Sequence, residues 1–312
     1  MMLGRAALRL GAFCVSAIAI HVSPAFAGEG ATPYLPGATI GIPKGLPPAD
    51  GITISTKVLF RPNKIYDGNG HDTGARADLI LNTPTIMWAP GVKLLGGTYS
   101  VYAIQPLSYR VVTSGGVQHQ AAGAFNTEIS PFNLAWNATK SLGISTGVLV
   151  FLNDSAFKRD GPVHIGNNYW TVEPSIGATF HKKGWMVSVF SVVDINTTNN
   201  DYVGALNTMG KHYHSGTSVY VDYTIAKKHK NLTYGVAGYW GHQLADDTVD
   251  GVAVPATATR AQGNRLEQFA VGPVLGLDVG KLNFAAYYTH DVVHQQAIAG
   301  DAFWFRISAK IK

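Results

Sequence analysis

Charged residues recur at alternate positions inside otherwise apolar stretches, and their spacing indicates where their chemistry is directed. Lys57 and Arg61, for example, lie four residues apart and are separated by Val58, Leu59 and Phe60. Successive side chains of a β-strand point to opposite faces, so such charges would share one face of an extended chain. The residues that we predict to lie on this shielded polar face are Lys57, Arg61, Glu173, Asp194, His212, His214, Asp222, Arg306 and Lys310.

Two groups of residues could bind metal ions. His212 and His214 would share a strand face, and two imidazoles at that spacing can ligate a transition metal. No third ligand lies nearby in the sequence, so a polar lining is the favoured interpretation. Two acidic runs could hold calcium, but neither has the mid-loop glycine and terminal glutamate of a calcium loop; they are Asp246, Asp247 and Asp250, and Asp67, Asn69 and Asp72. We predict no metal and no cofactor.

Hydrolytic chemistry has little support in the residue pattern. Serines and His290 are present, but the chain lacks a G-x-S-x-G element and any defined nucleophile–base spacing. We therefore predict that the protein is not an enzyme, and a lipid-modifying activity is the least favoured alternative.

The hairpin between Ile165 and Asn196 shows which elements would carry the polar face. In its first arm, apolar residues alternate with polar ones, and the apolar set is Trp170, Val172, Pro174, Ile176, Ala178 and Phe180. Each arm has about ten residues, the length that a tilted strand needs to cross a bilayer. Lys182-Lys183-Gly184 makes the turn, and an aromatic residue at the start of each arm suits a membrane interface.

The same unit recurs from Ile52 to the end of the chain. We predict twelve strands, over residues 52–61, 76–89, 96–113, 123–137, 142–152, 170–181, 185–196, 211–226, 232–243, 265–279, 282–290 and 300–312. Their connections alternate between long and short, which is typical of an up-and-down outer-membrane barrel. In hydrocarbon the sheet must close, because an open edge would leave backbone groups unpaired. A soluble sandwich or lipocalin-like barrel, the alternative, would place its apolar face inside.

Composition and the first residues agree with export. Only 14% of the 312 residues are charged, and the net charge of +5 is too weak to indicate nucleic-acid binding. Residues 1–27 are predicted to be a signal peptide, with basic residues before an apolar core and the cleavage motif Ala25-Phe26-Ala27 before Gly28. The single cysteine, Cys14, lies within it, which excludes a disulfide scaffold from the mature chain.

Residues 28–51 precede the first strand and are rich in glycine and proline. They cannot form a long strand or helix. Either they are a loose periplasmic leader or they fold into the barrel as a plug, with Tyr34, Leu35 and Pro36 as candidate plug residues. The predicted organisation is therefore a signal peptide (1–27), this segment (28–51) and a barrel (52–312).

Several short motifs resemble one family of bacterial proteins. The motifs are Thr32-Pro33-Tyr34-Leu35-Pro36-Gly37, Leu95-Gly96-Gly97, Gly166-Asn167-Asn168-Tyr169-Trp170, Asp194-Ile195-Asn196-Thr197-Thr198-Asn199, Tyr213-x-Ser215-Gly216 before Asp222-Tyr223, and Gly238-Tyr239 with Gln243 and Asp246-Asp247. Together they resemble the outer-membrane barrels associated with the phenol meta-degradation pathway. That family is distantly similar to hydrocarbon and fatty-acid transporters of Gram-negative bacteria. The chain departs from it at Gly123-Ala124-Phe125-Asn126, where a Gly-Asp element is usual, and in ending with Lys312.

The resemblance implies passive uptake of small hydrophobic compounds, aromatic ones included, across a bacterial outer membrane. Its expected partners are outer-membrane lipid, the transported solute and the outer-membrane assembly machinery, with no nucleic acid. A general small-solute porin and a structural barrel remain alternatives. Twelve strands give a bore only slightly wider than that of eight-stranded barrels, which side chains fill, so a narrow or plugged path is expected.

Overall fold

In a computed structural model, which describes residues 32–159, 161–202, 212–255 and 264–311, the secondary structure is entirely β. No helix among these residues is long and apolar enough to cross a membrane. The predicted signal peptide, its cleavage site and Lys312 lie outside the described residues. The strands are β1 Gly51–Arg61, β2 Asn63–Tyr66, β3 Asp72–Asn82, β4 Thr85–Ala89, β5 Lys93–Leu94, β6 Gly97–Ile104, β7 Leu107–Ser114, β8 Val117–Ala124, β9 Glu128–Asn137, β10 Leu142–Phe151, β11 Thr171–Lys182, β12 Trp185–Asn196, β13 Thr198–Asn199, β14 Tyr213–His214, β15 Ser218–His229, β16 Leu232–Gln243, β17 Thr248–Val249, β18 Val252–Ala253, β19 Glu267–Val279, β20 Leu282–Gln295 and β21 Ala297–Lys310.

Antiparallel pairing closes the main sheet into a barrel. Hydrogen-bonded neighbours follow the order β1, β4, β6, β9, β10, β11, β12, β15, β16, β19, β20 and β21. The last of these pairs with the first, and Lys310 lies opposite Thr53. Each of the twelve positions is one stave of the barrel. The prediction of an all-β, up-and-down barrel of about twelve strands is confirmed.

Four adjacent staves are each divided into two segments, which the sequence prediction missed. They consist of β1 with β2, β3 with β4, β6 with β7, and β8 with β9. Pro62, Pro84 and Pro106 stand at the first three junctions. Proline has no N–H to donate to the sheet, which accounts for the breaks at these three junctions. The predicted fourth strand, residues 123–137, is wrong in its limits, because β8 ends at Ala124 and β9 begins at Glu128.

Most of the charged and polar side chains of the wall point into the barrel, together with some apolar ones, and the outside is covered mainly by apolar side chains. Along β11, Thr171, Glu173 and Thr179 are buried. Between them, Val172 and Ile176 are 41% and 65% exposed. A soluble barrel has the reverse arrangement, so the outer surface is suited to hydrocarbon. This distribution rules out the soluble sandwich.

The two ends of the barrel differ in their connections. At one end the turns are tight; the turn between β11 and β12 has positive φ at Lys183 (49°) and Gly184 (80°). Two successive positive φ angles match the type I′ turns that suit the twist of a hairpin. At the other end, the long loops form a separate four-stranded sheet from β13, β14, β17 and β18. We call these the short-turn end and the long-loop end.

Candidate functional site

The centre of the barrel is occupied by residues 32–50, which we call the luminal segment. Tyr34 is 4% exposed and Ile40 is fully buried, and each packs with inward-facing side chains of the wall. Pro36 is also buried, whereas Leu35 is half-buried and borders a cavity. The structure thus places the three candidate plug residues in the lumen.

Asp222 on β15 is the main attachment point of the luminal segment. One carboxylate oxygen accepts hydrogen bonds from the Tyr34 hydroxyl (2.7 Å) and from the Thr39 backbone N–H (2.8 Å) and hydroxyl (2.7 Å). The other oxygen accepts from the Gly37 N–H at 2.8 Å. Hydrogen bonds to a charged group are stronger than neutral ones. This single carboxylate therefore fixes one turn of the segment to the wall.

Thr224 on β15 and Thr179 on β11 continue the attachment toward the short-turn end. The Gly41 N–H donates to Thr224 (2.9 Å) and the Gly45 N–H donates to Thr179 (3.0 Å). Gly45 approaches the wall so closely that a Cβ there would overlap the backbone of Ala178 and Thr179. Glycine is the residue that allows such close backbone contact.

Two predicted lumen cations, on β1 and β21, bind the luminal segment from another side of the barrel than Asp222. The Lys57 ammonium on β1 donates to the Ala38 carbonyl at 2.5 Å, and Arg306 on β21 donates to the Gly41 carbonyl at 3.4 Å. Lys57 and Arg306 are 7% and 8% exposed. Both therefore face inward, and both bind backbone oxygens of the segment.

Arg61 forms a separate buried ion pair nearer the long-loop end. Its guanidinium donates to Asp291 (3.0 Å) and to the Tyr239 hydroxyl (2.7 Å), and that hydroxyl donates to the same carboxylate at 2.5 Å. Both charged partners are almost completely shielded from solvent. A buried pair of this kind is costly to break, because one charge would be left uncompensated.

Glu173 and Asp194 complete the set of buried wall acids. They lie on the paired strands β11 and β12, and they are 0% and 1% exposed. The two carboxylates lie within reach of each other, and the Tyr34 backbone N–H of the luminal segment lies within reach of Asp194. Neither carboxylate borders the large cavity described next, and the same is true of Asp222. These three acids are therefore all on the part of the wall that the luminal segment covers.

Between the luminal segment and the rest of the wall lies a cavity of about 860 Å³. Most of its wall side is formed by β3, β4, β6, β9 and β10, which we call the open wall. Strands β1 and β21 also border it, and so do Met186 and Phe190 of β12. We call β11, β12, β15 and β16 the anchoring wall. Toward the long-loop end, the cavity is bordered by Arg110 and Phe125, and at the short-turn end it reaches the turn at residues 182–184. Its apolar lining from the open wall is Leu79, Leu81, Met87, Tyr102, Ile104, Leu134, Leu149 and Phe151. The lumen thus contains a continuous, largely apolar space over much of its length.

Three predicted lumen residues have other positions. The placement of His212 and His214 on a wall strand is wrong: His214 belongs to β14 of the loop sheet, and His212 precedes it and contacts Asn200. The wall strand begins only at Ser218, after a non-strand stretch that includes Gly216. Lys310 follows the alternation from Arg306 but lies exposed at the short-turn end.

The loop acids serve mainly as structural acceptors. Asp247 is fully buried and accepts hydrogen bonds from Tyr213 (2.6 Å) and from the Gly216 N–H (2.7 Å). Asp246 is paired with Arg265 at 2.8 Å. Within the described ranges, no three His, Cys, Asp or Glu side chains are grouped so that they could hold a metal ion.

Sequence reasoning missed two residues that shape the lumen. Asn126, within the departure from the family pattern, donates to the carbonyls of Leu152 (2.6 Å) and Asn167 (2.9 Å) and accepts from the Asn167 N–H (2.7 Å). It ties the loop after β10 to the junction of β8 and β9. Lys44 borders the cavity from the luminal segment. As a lysine in a proline-rich stretch, it could have been singled out from the sequence.

Comparison with known proteins gives one family and several similar folds. A family model described as "Putative MetA-pathway of phenol degradation" matches residues 62–307. An outer membrane channel from Pseudomonas putida F1 is 11% identical with a TM-score of 0.73, covering 86% of this chain and 98% of that one. The β domain of the Bordetella autotransporter BrkA is 12% identical with a TM-score of 0.50, covering 84% and 100%. No curated protein sequence matches the chain significantly.

Proposed function

We propose that this chain, which belongs to the family described as "Putative MetA-pathway of phenol degradation", is an outer-membrane channel for passive uptake of small hydrophobic compounds, aromatic ones among them. The family description supports a link to aromatic compounds. The Pseudomonas putida protein of similar fold is an outer membrane channel, which supports transport rather than catalysis.

The observation that carries the proposal is the apolar cavity beside the luminal segment. Its volume of about 860 Å³ lies within the roughly 300–1,000 Å³ of small-molecule sites. It extends from Phe125 to the turn at residues 182–184 and so spans much of the barrel. A small apolar molecule could follow the open wall along this space and remain in contact with aliphatic and aromatic side chains.

The luminal segment argues against the alternative of a general porin. The porins that enclose a wide aqueous channel have sixteen to eighteen strands, whereas this barrel has twelve staves. Residues 32–50 fill part of that bore and are fixed by the bonds to Asp222, Thr224 and Thr179. The remaining space is bordered largely by apolar groups, which suits hydrophobic solutes better than bulk hydrophilic ones.

The proposed location follows from the same arrangement. The apolar exterior would contact outer-membrane lipid, the short-turn end would face the periplasm, and the long loops would face the cell exterior. We propose that the assembly machinery of the outer membrane inserts the chain after removal of residues 1–27.

The test is uptake of radiolabelled benzyl alcohol at limiting concentration by Gram-negative cells with an intact lipopolysaccharide leaflet. Cells that express the protein should take it up faster than cells that lack it. Ser145→Trp would place a large ring in the cavity, so cells that express this variant should take up benzyl alcohol no faster than cells that lack the protein. Ile144→Trp is the matched control, because Ile144 is 41% exposed on the opposite face of the same strand and should tolerate the change.

A sugar assay separates the proposal from the porin alternative. Proteoliposomes that contain the purified protein should swell slowly in arabinose or other sugars, because the lumen offers no wide aqueous path. Rapid swelling in sugars, or benzyl alcohol uptake unaffected by Ser145→Trp, would contradict the proposal.

A further inference from the structure

The charged residues around the cavity are strongly unbalanced. Seven basic residues border it, against two acidic residues, Glu128 and Asp278. Asp278 is paired with Lys228, which leaves six basic residues against Glu128. Of the other buried acids of the lumen, Glu173, Asp194 and Asp222 belong to the anchoring wall, and Asp291 is paired with Arg61; none of them borders the cavity. The space left for a solute is therefore electropositive, although the lumen as a whole contains both signs.

The positive charge is distributed along the cavity. Lys44, Lys57, Arg110 and Arg306 lie in its interior, and Lys182 and Lys183 lie at its short-turn mouth. A cleft lined by one sign of charge with low-dielectric walls concentrates ions of the opposite sign. Lysine and arginine side chains that line the narrow part of a pore favour the passage of anions. This arrangement would favour the entry of anionic solutes.

Lys44 differs from the other interior cations in its contacts. Lys57 and Arg306 donate hydrogen bonds to the luminal segment, and Arg110 donates to the His164 carbonyl. The Lys44 ammonium instead lies 5.0 Å from the Tyr102 ring centroid and 4.7 Å from that of Phe190. Among the described residues no acceptor is hydrogen-bonded to this ammonium, although the carboxylates of Glu128 and Asp222 attract it electrostatically. Its N–H groups are therefore available to a ligand.

The rings that Lys44 contacts belong to an apolar cluster. Phe190 packs with Leu149 and Tyr34, and Tyr102 packs against the same cluster. Aromatic rings stack or pack edge-to-face against one another with a gain beyond simple burial. A cation that touches an aromatic cluster thus offers complementary groups for a molecule with a carboxylate at one end and an aromatic ring at the other.

We propose that this cavity binds small aromatic carboxylates, with the carboxylate on the Lys44 ammonium and the ring against Tyr102, Leu149 and Phe190. The inference rests on the proposed uptake function and specifies the class of solute that the channel prefers. A charge-assisted hydrogen bond to the ammonium distinguishes the carboxylate from a neutral aromatic of the same size.

Calorimetric titration of the full mature protein in detergent, at neutral pH, compares benzoate with benzyl alcohol. Benzoate should bind at least about tenfold more tightly. Lys44→Met, which keeps an unbranched side chain of similar size and removes the charge, should abolish this preference and retain benzyl alcohol binding. Lys140→Met is the control, because Lys140 is exposed in a short-turn connection and does not border the cavity. This control should retain the preference.

The outcomes separate the inference from the function on which it rests. Equal affinity for the two compounds, or a preference that survives Lys44→Met, would overturn the inference and leave the proposed uptake intact. Absence of binding and uptake of both compounds would overturn both. In a planar bilayer with a potassium chloride gradient, the reversal potential should show anion preference, reduced by Lys44→Met; cation preference would contradict the inference.

Discussion

The anchoring wall and the open wall have the same architecture but opposite roles. Both present polar residues inward from antiparallel strands with an apolar exterior. On the anchoring wall, the inward acceptors, above all Asp222 and Thr179, bind backbone N–H groups of the luminal segment. The open wall leaves a cavity, lined by apolar side chains such as Leu81 and Leu149.

The comparison shows that the luminal segment divides the lumen chemically. It covers the buried acids of the anchoring wall and leaves a basic, aromatic surface beside the cavity. The acceptors of the anchoring wall should therefore determine how far the channel is closed. The groups that border the cavity, which are the open wall together with Lys44 and Phe190, should determine which solute passes. Substitutions on the two walls can test this separation.

The largest effect is expected from Asp222→Asn. The change removes the charge that accepts four hydrogen bonds and places an NH₂ group against donors from Tyr34, Gly37 and Thr39. Hydrogen bonds to charged groups contribute about 1.5–3 kcal/mol each, so the free energy of unfolding in urea should fall by about 3 kcal/mol. The loosened segment should raise planar-bilayer conductance several-fold.

Asp72→Asn is the control for this prediction. Asp72 lies at the long-loop end in an exposed pair with Lys64, away from the luminal segment. Exposed pairs contribute little, so conductance should stay as in the unmodified protein. If Asp222→Asn changes the conductance no more than Asp72→Asn does, Asp222 does not anchor the luminal segment.

A smaller effect is expected from Gly45→Ala. The added methyl would overlap the backbone of Ala178 and Thr179, which cannot rotate away as a side chain could. Overpacking costs about 1–3 kcal/mol, and here the luminal segment should move off the wall. Conductance should rise, by less than in Asp222→Asn. Ala49→Ser, a substitution at an exposed position of the same segment, should leave the conductance unchanged. An equal rise in this control would contradict the role of the close contact at Gly45.

The smallest effect is expected from Thr179→Val, which keeps the side-chain shape. It removes the acceptor of the Gly45 N–H and the hydrogen bond to the Ser188 hydroxyl. Each of these two neutral hydrogen bonds contributes about 1 kcal/mol, so the urea midpoint should fall modestly. The preference for benzoate should be unchanged, because Thr179 does not border the cavity. A changed preference would mean that the two walls are not separable.

The sequence by itself determined the barrel and its polarity. Alternation along residues 170–181 assigns Glu173 to one face and Val172 to the other, and this assignment depends only on the two-residue repeat of a strand. The need to pair backbone groups in hydrocarbon then requires closure. The limits of the staves could not be predicted as well, because Pro84 and Pro106 interrupt strands that the hydrophobic pattern alone would continue.

Only the tertiary structure decided which inward residues meet the luminal segment and which meet the cavity. Asp222 and Glu128 are both inward-facing acids, and their local patterns do not tell them apart. They differ because residues 32–50 lie against β15 and leave β9 uncovered, a placement set by contacts such as that from Gly37 to Asp222, 185 positions along the chain. Strand periodicity is local and reports only the face of the sheet, whereas the neighbours across the lumen depend on how the whole chain closes.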